Sequence, residues 1–188
     1  MCMAIFKPAK VVVKEEHLRN SWIANPDGAG FAYVKAGKVV VEKGFQTVKE
    51  FLAAYDKVFK KNKNSPFLIH FRIRSMGAKG SEHTHPYVFQ HGALIHNGTI
   101  HGTGAVYDSG PSDTELFTRR FGNEMTYENV TALKVKLEQA LDFNKIVILY
   151  PTKDAVILNE RKGYWHEGTW FSTKAYETRN RSYYGEHE

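Results

Sequence analysis

Short apolar runs and amphipathic stretches alternate along the whole chain. Apolar residues spaced two positions apart indicate strands, and those spaced three and four apart indicate helices. In the first half the predicted elements are strands at 3–6 and 10–13, a helix at 15–23, hairpin strands at 31–34 and 38–42, and a helix with Val48, Phe51, Leu52, Tyr55 and Phe59 on its apolar face. This half therefore mixes both kinds of element.

The second half continues the mixture, with strands before and after a helical stretch. The predicted strands are 66–74, 87–89, 93–96 with a short partner after Gly98, 146–150, 154–159, 163–167 and 169–172, and the predicted helices are 112–121 and 127–141. This order predicts an α+β fold with largely antiparallel sheets and argues against a doubly wound parallel sheet. Since no repeat or Pro/Gly/Ser-rich linker interrupts it, we expect residues 1–188 to form a single domain.

Composition places the chain among folded, non-membrane proteins. Hydrophobic residues make up 42% and charged residues 24% of the 188 residues, which is ordinary for a globular domain. The single cysteine excludes an intrachain disulfide, and we find neither a secretory signal nor an apolar run of about 20 residues that could span a bilayer. We therefore expect a cytoplasmic protein that does not enter a membrane.

The chain is basic, with a formal net charge of +6. Part of the excess lies in Lys57, Lys60, Lys61 and Lys63, at the end of a predicted helix. An excess of this size is typical of a solvated helix end, so nucleic acid is not the expected partner. A basic binding module without catalytic activity remains an alternative, and salt-dependent retention on DNA or RNA would support it.

The only cysteine, Cys2, follows the first methionine directly. An initiator methionine before a residue this small is normally removed, so the mature chain would begin with the thiol. A thiol beside a free α-amine can pass its proton to that amine and needs no separate histidine base. The alternative is a cysteine of no function near a frayed end.

The stretch LIHFRIRS, residues 68–75, alternates apolar positions with polar ones and predicts a strand carrying Arg72 and Arg74 on one face. Their guanidinium groups could hold a carboxylate in bidentate fashion. Arginines on a half-exposed strand are also often simply solvated, so this motif alone leaves both interpretations open.

Asn97-Gly98 lies between two apolar runs in GALIHNGTIHG and predicts a tight hairpin turn. An asparagine amide and a neighbouring backbone N–H can also converge on one oxygen, as the stabilisation of a tetrahedral oxyanion requires. The turn and the oxyanion hole are compatible interpretations.

PSDTELF contains Ser112-x-x-Glu115, a capping box that predicts the start of a helix. Asp113 then lies in the first helical turn, where a carboxylate complements the helix dipole. The functional alternative is a carboxylate presented to a substrate ammonium group.

Five histidines, His83, His85, His91, His96 and His101, crowd the middle of the chain and raise the possibility of a metal-dependent hydrolase. His83 and His85 would share a strand face. However, no carboxylate stands at a typical ligand spacing, no HExxH occurs, and the only thiol is remote in sequence. We therefore predict no metal site and no cofactor.

In their order along the chain, these motifs resemble the class II glutamine amidotransferase domain of the N-terminal nucleophile hydrolases. The family's mature chain begins with its nucleophilic cysteine, matched here by Cys2. Its later segments are matched by NPDGAGFAY (25–33), HFRIRSMG (70–77), THP (84–86), HNG (96–98) and SDTE (112–115). The closing stretch, residues 157–172, looks like that of small stand-alone members, including ones carried by phages. The implied fold is a four-layer αββα sandwich with two mainly antiparallel sheets between helical layers.

The resemblance also implies roles for individual residues. Cys2, freed by removal of Met1, would attack the side-chain amide of glutamine and form a γ-glutamyl thioester. Asn97 and Gly98 would form the oxyanion hole, Arg72 would bind the substrate α-carboxylate, Asp113 would bind its α-ammonium, and Ser75 and His85 would line the pocket. Because Ile73 and Met76 depart from common family residues, hydrolysis of another γ-glutamyl amide or peptide is the alternative. Any ammonia acceptor would be a separate synthase or acceptor protein.

Overall fold

The computed structural model describes residues 2–78 and 80–177. Its strands are β1 (Met3–Lys7), β2 (Ala29–Lys35), β3 (Lys38–Phe45), β4 (Phe67–Phe71), β5 (Tyr87–Phe89), β6 (Gly92–Asn97), β7 (Lys145–Leu149), β8 (Val156–Leu158), β9 (Tyr164–His166) and β10 (Thr169–Phe171). Its α-helices are α1 (Glu15–Ala24), α2 (Val48–Lys61), α3 (Asp113–Phe121), α4 (Tyr127–Ala132) and α5 (Lys134–Leu141). No helix within these residues is long and apolar enough to cross a bilayer.

The strands form two antiparallel sheets. The first has the order β3-β2-β4-β1-β10-β9 and the second the order β5-β6-β7-β8. In the first sheet β1 lies centrally, with β4 on one side and β10 on the other. The strand that follows the nucleophile candidate is therefore held on both edges, which fixes its register.

Three apolar clusters separate four layers. The first packs α1 and α2 on one face of the six-stranded sheet around Phe31, Phe51 and Phe71. The second lies between the two sheets and includes Leu68, Ile95 and Trp170. The third packs the second sheet against the segment that carries α3, α4 and α5. The α+β class and the αββα layering expected from the sequence are both confirmed.

Side-chain caps explain where two of the helices begin. The hydroxyl of Thr47 accepts a hydrogen bond from Glu50 N at 3.2 Å ahead of α2. Ser112 accepts one from Glu115 N at 3.2 Å ahead of α3, which confirms the predicted capping role of Ser112. The cap of α3 places Asp113 in its first turn.

The predicted strand at 10–13 is wrong. Val11 N donates to Pro8 O at 3.4 Å, which closes a turn after β1, and Val12 is 62% exposed. Because β1 already has β4 and β10 as neighbours, the sheet has no free edge there for these residues. They connect β1 to α1 instead.

The predicted hairpin at Asn97-Gly98 is also wrong. A type I′ turn needs positive φ at both central residues, whereas only Gly98, with φ 143°, has it here. Both edges of β6 are paired, one with β5 and the other with β7. Asn97 therefore ends a strand whose partner, β7, comes from much later in the chain.

Three smaller boundaries differ from the predictions. β4 ends at Phe71, so Arg72 and Arg74 lie beyond the strand and not on its face. The helix expected at 127–141 is interrupted at Leu133, between α4 and α5. The strand predicted at 154–159 is shorter in the structure, where β8 contains only Val156–Leu158.

Candidate active site

Strand pairing brings Cys2 beside Arg72. In the antiparallel register of β1 against β4, Met3 lies opposite Phe71. Cys2, which precedes Met3, therefore lies level with Arg72, which follows Phe71. The Cys2 thiol donates to Ile73 O at 3.2 Å, its only hydrogen bond within residues 2–78 and 80–177. Burial raises the pKa of this thiol, although Arg72 acts in the opposite direction. In this environment the sulfur is a protonated thiol at neutral pH.

Asn97 contacts the main chain of Cys2. Its side chain is buried, and Nδ2 donates to the Cys2 carbonyl oxygen. This contact fixes the amide orientation, since the reversed amide would place Oδ1 against that carbonyl. Nδ2 carries two hydrogens, so one remains for another acceptor. Gly98 follows at once, and a Cβ built on it would lie 2.1 Å from Asn144 Oδ1. Only glycine fits there.

Arg72 is nearly buried, with 4% of its surface exposed. Its guanidinium donates to three backbone carbonyls: Met76 O at 3.3 Å, Ala78 O at 3.1 Å and Gly80 O at 3.5 Å. Because these partners are neutral carbonyls, the buried cation retains its positive charge for an anionic ligand. Arg72, the predicted carboxylate-binding residue, thus lies at the site, but its N–H groups are hydrogen-bonded to backbone carbonyl oxygens.

Asp113 lies at the beginning of α3 and is also buried. Its Oδ2 accepts from Ile100 N at 2.6 Å and its Oδ1 accepts from Thr114 N at 2.9 Å. Asp113 lines the same small cavity as Cys2, and its carboxylate raises the pKa of the Cys2 thiol. A positive and a negative side chain therefore both face the neighbourhood of Cys2.

A cavity of about 20 Å³ lies at the centre of these groups. It is lined by Cys2, Arg72, Ile73, Ser75, Met76, His85, His96, Gly98, Ser112, Asp113 and Thr114. Six of the seven site residues expected from the sequence line it, and the seventh, Asn97, bonds to Cys2. A space this size holds about one water molecule. The structure therefore brings these groups together around a space too small for a substrate.

Behind the cavity, three imidazoles are stacked. The rings of His70 and His85 are 3.9 Å apart between centroids, and those of His85 and His96 are 6.4 Å apart. His96 N donates to His85 Nδ1 at 3.2 Å, and the His96 ring contacts Thr114 Oγ1 at 2.8 Å and Asn144 Oδ1 at 2.9 Å. Burial lowers the pKa of His70 to about 3 and that of His85 well below its usual value. These imidazoles are neutral and link β6 to α3.

The predicted grouping of the histidines is wrong. It lacks His70, because the alternation in β4 puts this residue on the polar face, which the packing of the second sheet buries. His83 lies in a short 3-10 helix and contacts Glu115 Oε2 at 3.3 Å, so it shares no strand face with His85. Among the described residues, the group with metal-ligand spacing lies elsewhere, at His17, His166 and Glu167.

No protein-family model and no curated protein matches this chain. Twenty chains among solved structures do match it. One is glutamine phosphoribosylpyrophosphate (PRPP) amidotransferase from B. subtilis complexed with ADP and GMP, at 16% identity and a TM-score of 0.53. The superposition covers 91% of this chain and 41% of that one, so this chain spans less than half of that enzyme's length. At this identity the likeness establishes the fold.

Proposed function

We propose that this protein releases ammonia from glutamine through a thioester on Cys2. The observation that carries the proposal is the convergence of a thiol, a buried cation and a buried carboxylate on one small cavity, with an amide donor bonded to the carbonyl of the thiol's own residue. These are the groups needed to attack an amide, to stabilise its oxyanion, and to bind the two charges of an amino-acid head group. The fold shared with a glutamine-using enzyme supports this assignment.

The α-amino group of Cys2, freed by removal of Met1, is the proposed base. The thiol pKa is raised by burial, so the sulfur needs a proton acceptor to become a nucleophile. The nearby imidazoles are poor alternatives: both nitrogens of His96 have partners, and burial lowers the pKa of His70 and of His85, which makes these rings weak bases. An amine on the same residue as the thiol has a suitable pKa of about 8.

In the first step, Sγ attacks the amide carbon of glutamine while the α-amine accepts the thiol proton. The oxyanion that forms accepts hydrogen bonds from the unused Nδ2 hydrogen of Asn97 and from Gly98 N. The α-ammonium then returns the proton to the leaving nitrogen, the C–N bond breaks, and ammonia departs. Water hydrolyses the γ-glutamyl thioester to glutamate and restores the thiol.

Substrate entry requires the cavity to enlarge, because about 20 Å³ cannot hold glutamine. The α-carboxylate of glutamine displaces carbonyl oxygens from the Arg72 guanidinium and forms a charge-assisted pair in their place. The α-ammonium binds the Asp113 carboxylate. Ser75, exposed at the rim, and His85, buried at the back, complete the walls. The proposal makes Arg72 and Asp113 specificity residues for a free amino-acid head group.

The test is ammonia release from glutamine by protein with a native N-terminus. Intact mass before and after treatment with a diazoketone analogue of glutamine reports Met1 removal and Cys2 labelling together. We expect one adduct, lost in Cys2→Ala, and no turnover in that variant. Full activity in a protein that retains residues before Cys2 would contradict the mechanism, since its nitrogen would be an amide.

Substrate comparison separates glutamine from the alternative γ-glutamyl compounds. If a γ-glutamyl dipeptide is hydrolysed faster than free glutamine, the chemistry stands and the substrate assignment changes. Activity that is abolished by a chelator but retained in Cys2→Ala would instead identify a metal-dependent hydrolase. Use of the ammonia by a separate synthase would be detected as transfer to that protein's acceptor.

A further inference from the structure

Away from the candidate active site, three side chains with metal-binding atoms lie together at one edge of the six-stranded sheet. His17 projects from α1, His166 ends β9, and Glu167 begins the turn into β10. One ligand atom from each lies within 4.8 Å of the others. We infer that His17, His166 and Glu167 form a binding site for one divalent transition-metal ion of the zinc type.

The spacing is close to that of a loaded site. Zinc bonds to imidazole nitrogen and carboxylate oxygen are about 2.0–2.2 Å long, so tetrahedral ligand atoms lie about 3.4 Å apart. Side-chain rotation can close the remaining gap, because His166 and Glu167 are 44% and 45% exposed. Two imidazoles and one carboxylate leave a fourth position for water.

Side-chain packing around His17 and a backbone turn at Glu167 both support this geometry. The His17 ring packs against Phe171 at 5.7 Å and Tyr176 at 5.3 Å between centroids, which limits its rotation. Glu167 and Gly168 have φ values of 48° and 75°, as a two-residue turn of type I′ requires, and this turn holds Glu167 beside His166. A bound ion would connect α1 to the β9–β10 hairpin.

The charges around the cluster are compatible with a cation. Lys14 binds Glu167 Oε1, which leaves Oε2 facing His166 Nε2 at 4.0 Å. The ammonium of Lys14 already neutralises the carboxylate and competes with a metal ion for it. Removing that ammonium should strengthen metal binding.

The chemistry of the ligands indicates the class of ion. Imidazole with one carboxylate suits Zn²⁺, Cu²⁺, Ni²⁺ and Co²⁺, whereas Mg²⁺ and Ca²⁺ prefer oxygen ligands. Co²⁺ is the convenient probe because its visible absorption reports the ligands, and Zn²⁺ should displace it. The protein must carry no polyhistidine tag.

The experiment is a Co²⁺ titration of the full chain, followed by competition with Zn²⁺. We expect one ion per chain. His17→Ala and Glu167→Gln should each lower affinity by at least about tenfold, since losing even a supporting partner of a metal ligand costs that much. Lys14→Met should raise affinity, and His101→Ala, an exposed histidine outside the cluster, should leave it unchanged.

Three results would overturn the assignment. The first is the absence of stoichiometric binding, and the second is equal affinity in the parent protein and Glu167→Gln, an exposed substitution that keeps the fold. The third is a cobalt–thiolate charge-transfer band that disappears in Cys2→Ser, which would place the ion at the Cys2 thiol. Weaker binding in Lys14→Met would likewise contradict the charge argument.

Discussion

Substitution of Asn97 by alanine tests the oxyanion hole directly. The buried Nδ2 atom donates one hydrogen to the Cys2 carbonyl and has a second for the oxyanion. Removing one donor of this kind typically raises the barrier by about 3–4 kcal/mol, or about 10²–10³ in kcat. Because the charge develops only in the transition state, KM for glutamine should change little.

The assay is steady-state ammonia release over a glutamine series, with kcat and KM separated. Asn123→Ala is a matched control, since this exposed asparagine lies in a short 3-10 helix outside the site. Thermal unfolding of both variants shows whether Asn97→Ala is folded at the assay temperature. Asn97→Asp keeps the shape but removes both hydrogens, so it should be at least as slow. A folded Asn97→Ala with parental kcat would refute the proposed role.

Four further outcomes are expected. Asp113→Asn should raise KM for glutamine about 10–100-fold with a smaller effect on kcat, because a charged hydrogen bond worth about 1.5–3 kcal/mol is lost. Gly98→Ala should lower both kcat and the melting temperature, because the new Cβ would clash with Asn144 and because φ at this position is 143°, which alanine rarely adopts. Phe51→Ala, on the buried face of α2, should lower the free energy of unfolding in urea by about 3–5 kcal/mol. Burial lowers the pKa of His70 to about 3 in the folded protein, so on acidification the unfolded state binds a proton at this residue first. The free energy of unfolding should therefore fall by up to about 1.4 kcal/mol per pH unit below about pH 6.5. The dependence on pH should be flatter in His70→Gln.

The layers of the fold were predictable because they follow from local pattern. The alternation in β4 assigns its residues to two faces, the apolar face of α2 identifies its buried side, and the capping box at Ser112 marks where α3 begins. Strand 10–13 failed for a reason that local pattern does not contain. Its valines have strand propensity, but the neighbouring sheet edges are filled by β4 and by β10, which comes from near the end of the described chain.

The site residues were predictable as a set, but their present partners were not. The family motifs named Cys2, Arg72 and Asp113, and the structure brings them to one cavity. No sequence signal indicated that backbone carbonyls occupy the Arg72 guanidinium, since any residue supplies a carbonyl. The histidine stack was missed for a similar reason: His70, His85 and His96 come from two sheets and a loop, which only the packing of one sheet on the other brings together.

The position of Cys2, the proposed nucleophile, depends on the register of β1 against β4. With Met3 opposite Phe71, the chain delivers Cys2 beside Arg72, and the bond from Asn97 to the Cys2 carbonyl holds that end against the second sheet. A slip of one residue would turn Ala4 and Phe6 away from the space between the sheets and Ile5 into it. Burial of alternate residues on both faces of β1 therefore opposes any slip. The same packing that stabilises the two sheets thus sets the distance between the sulfur and the charges that would hold its substrate.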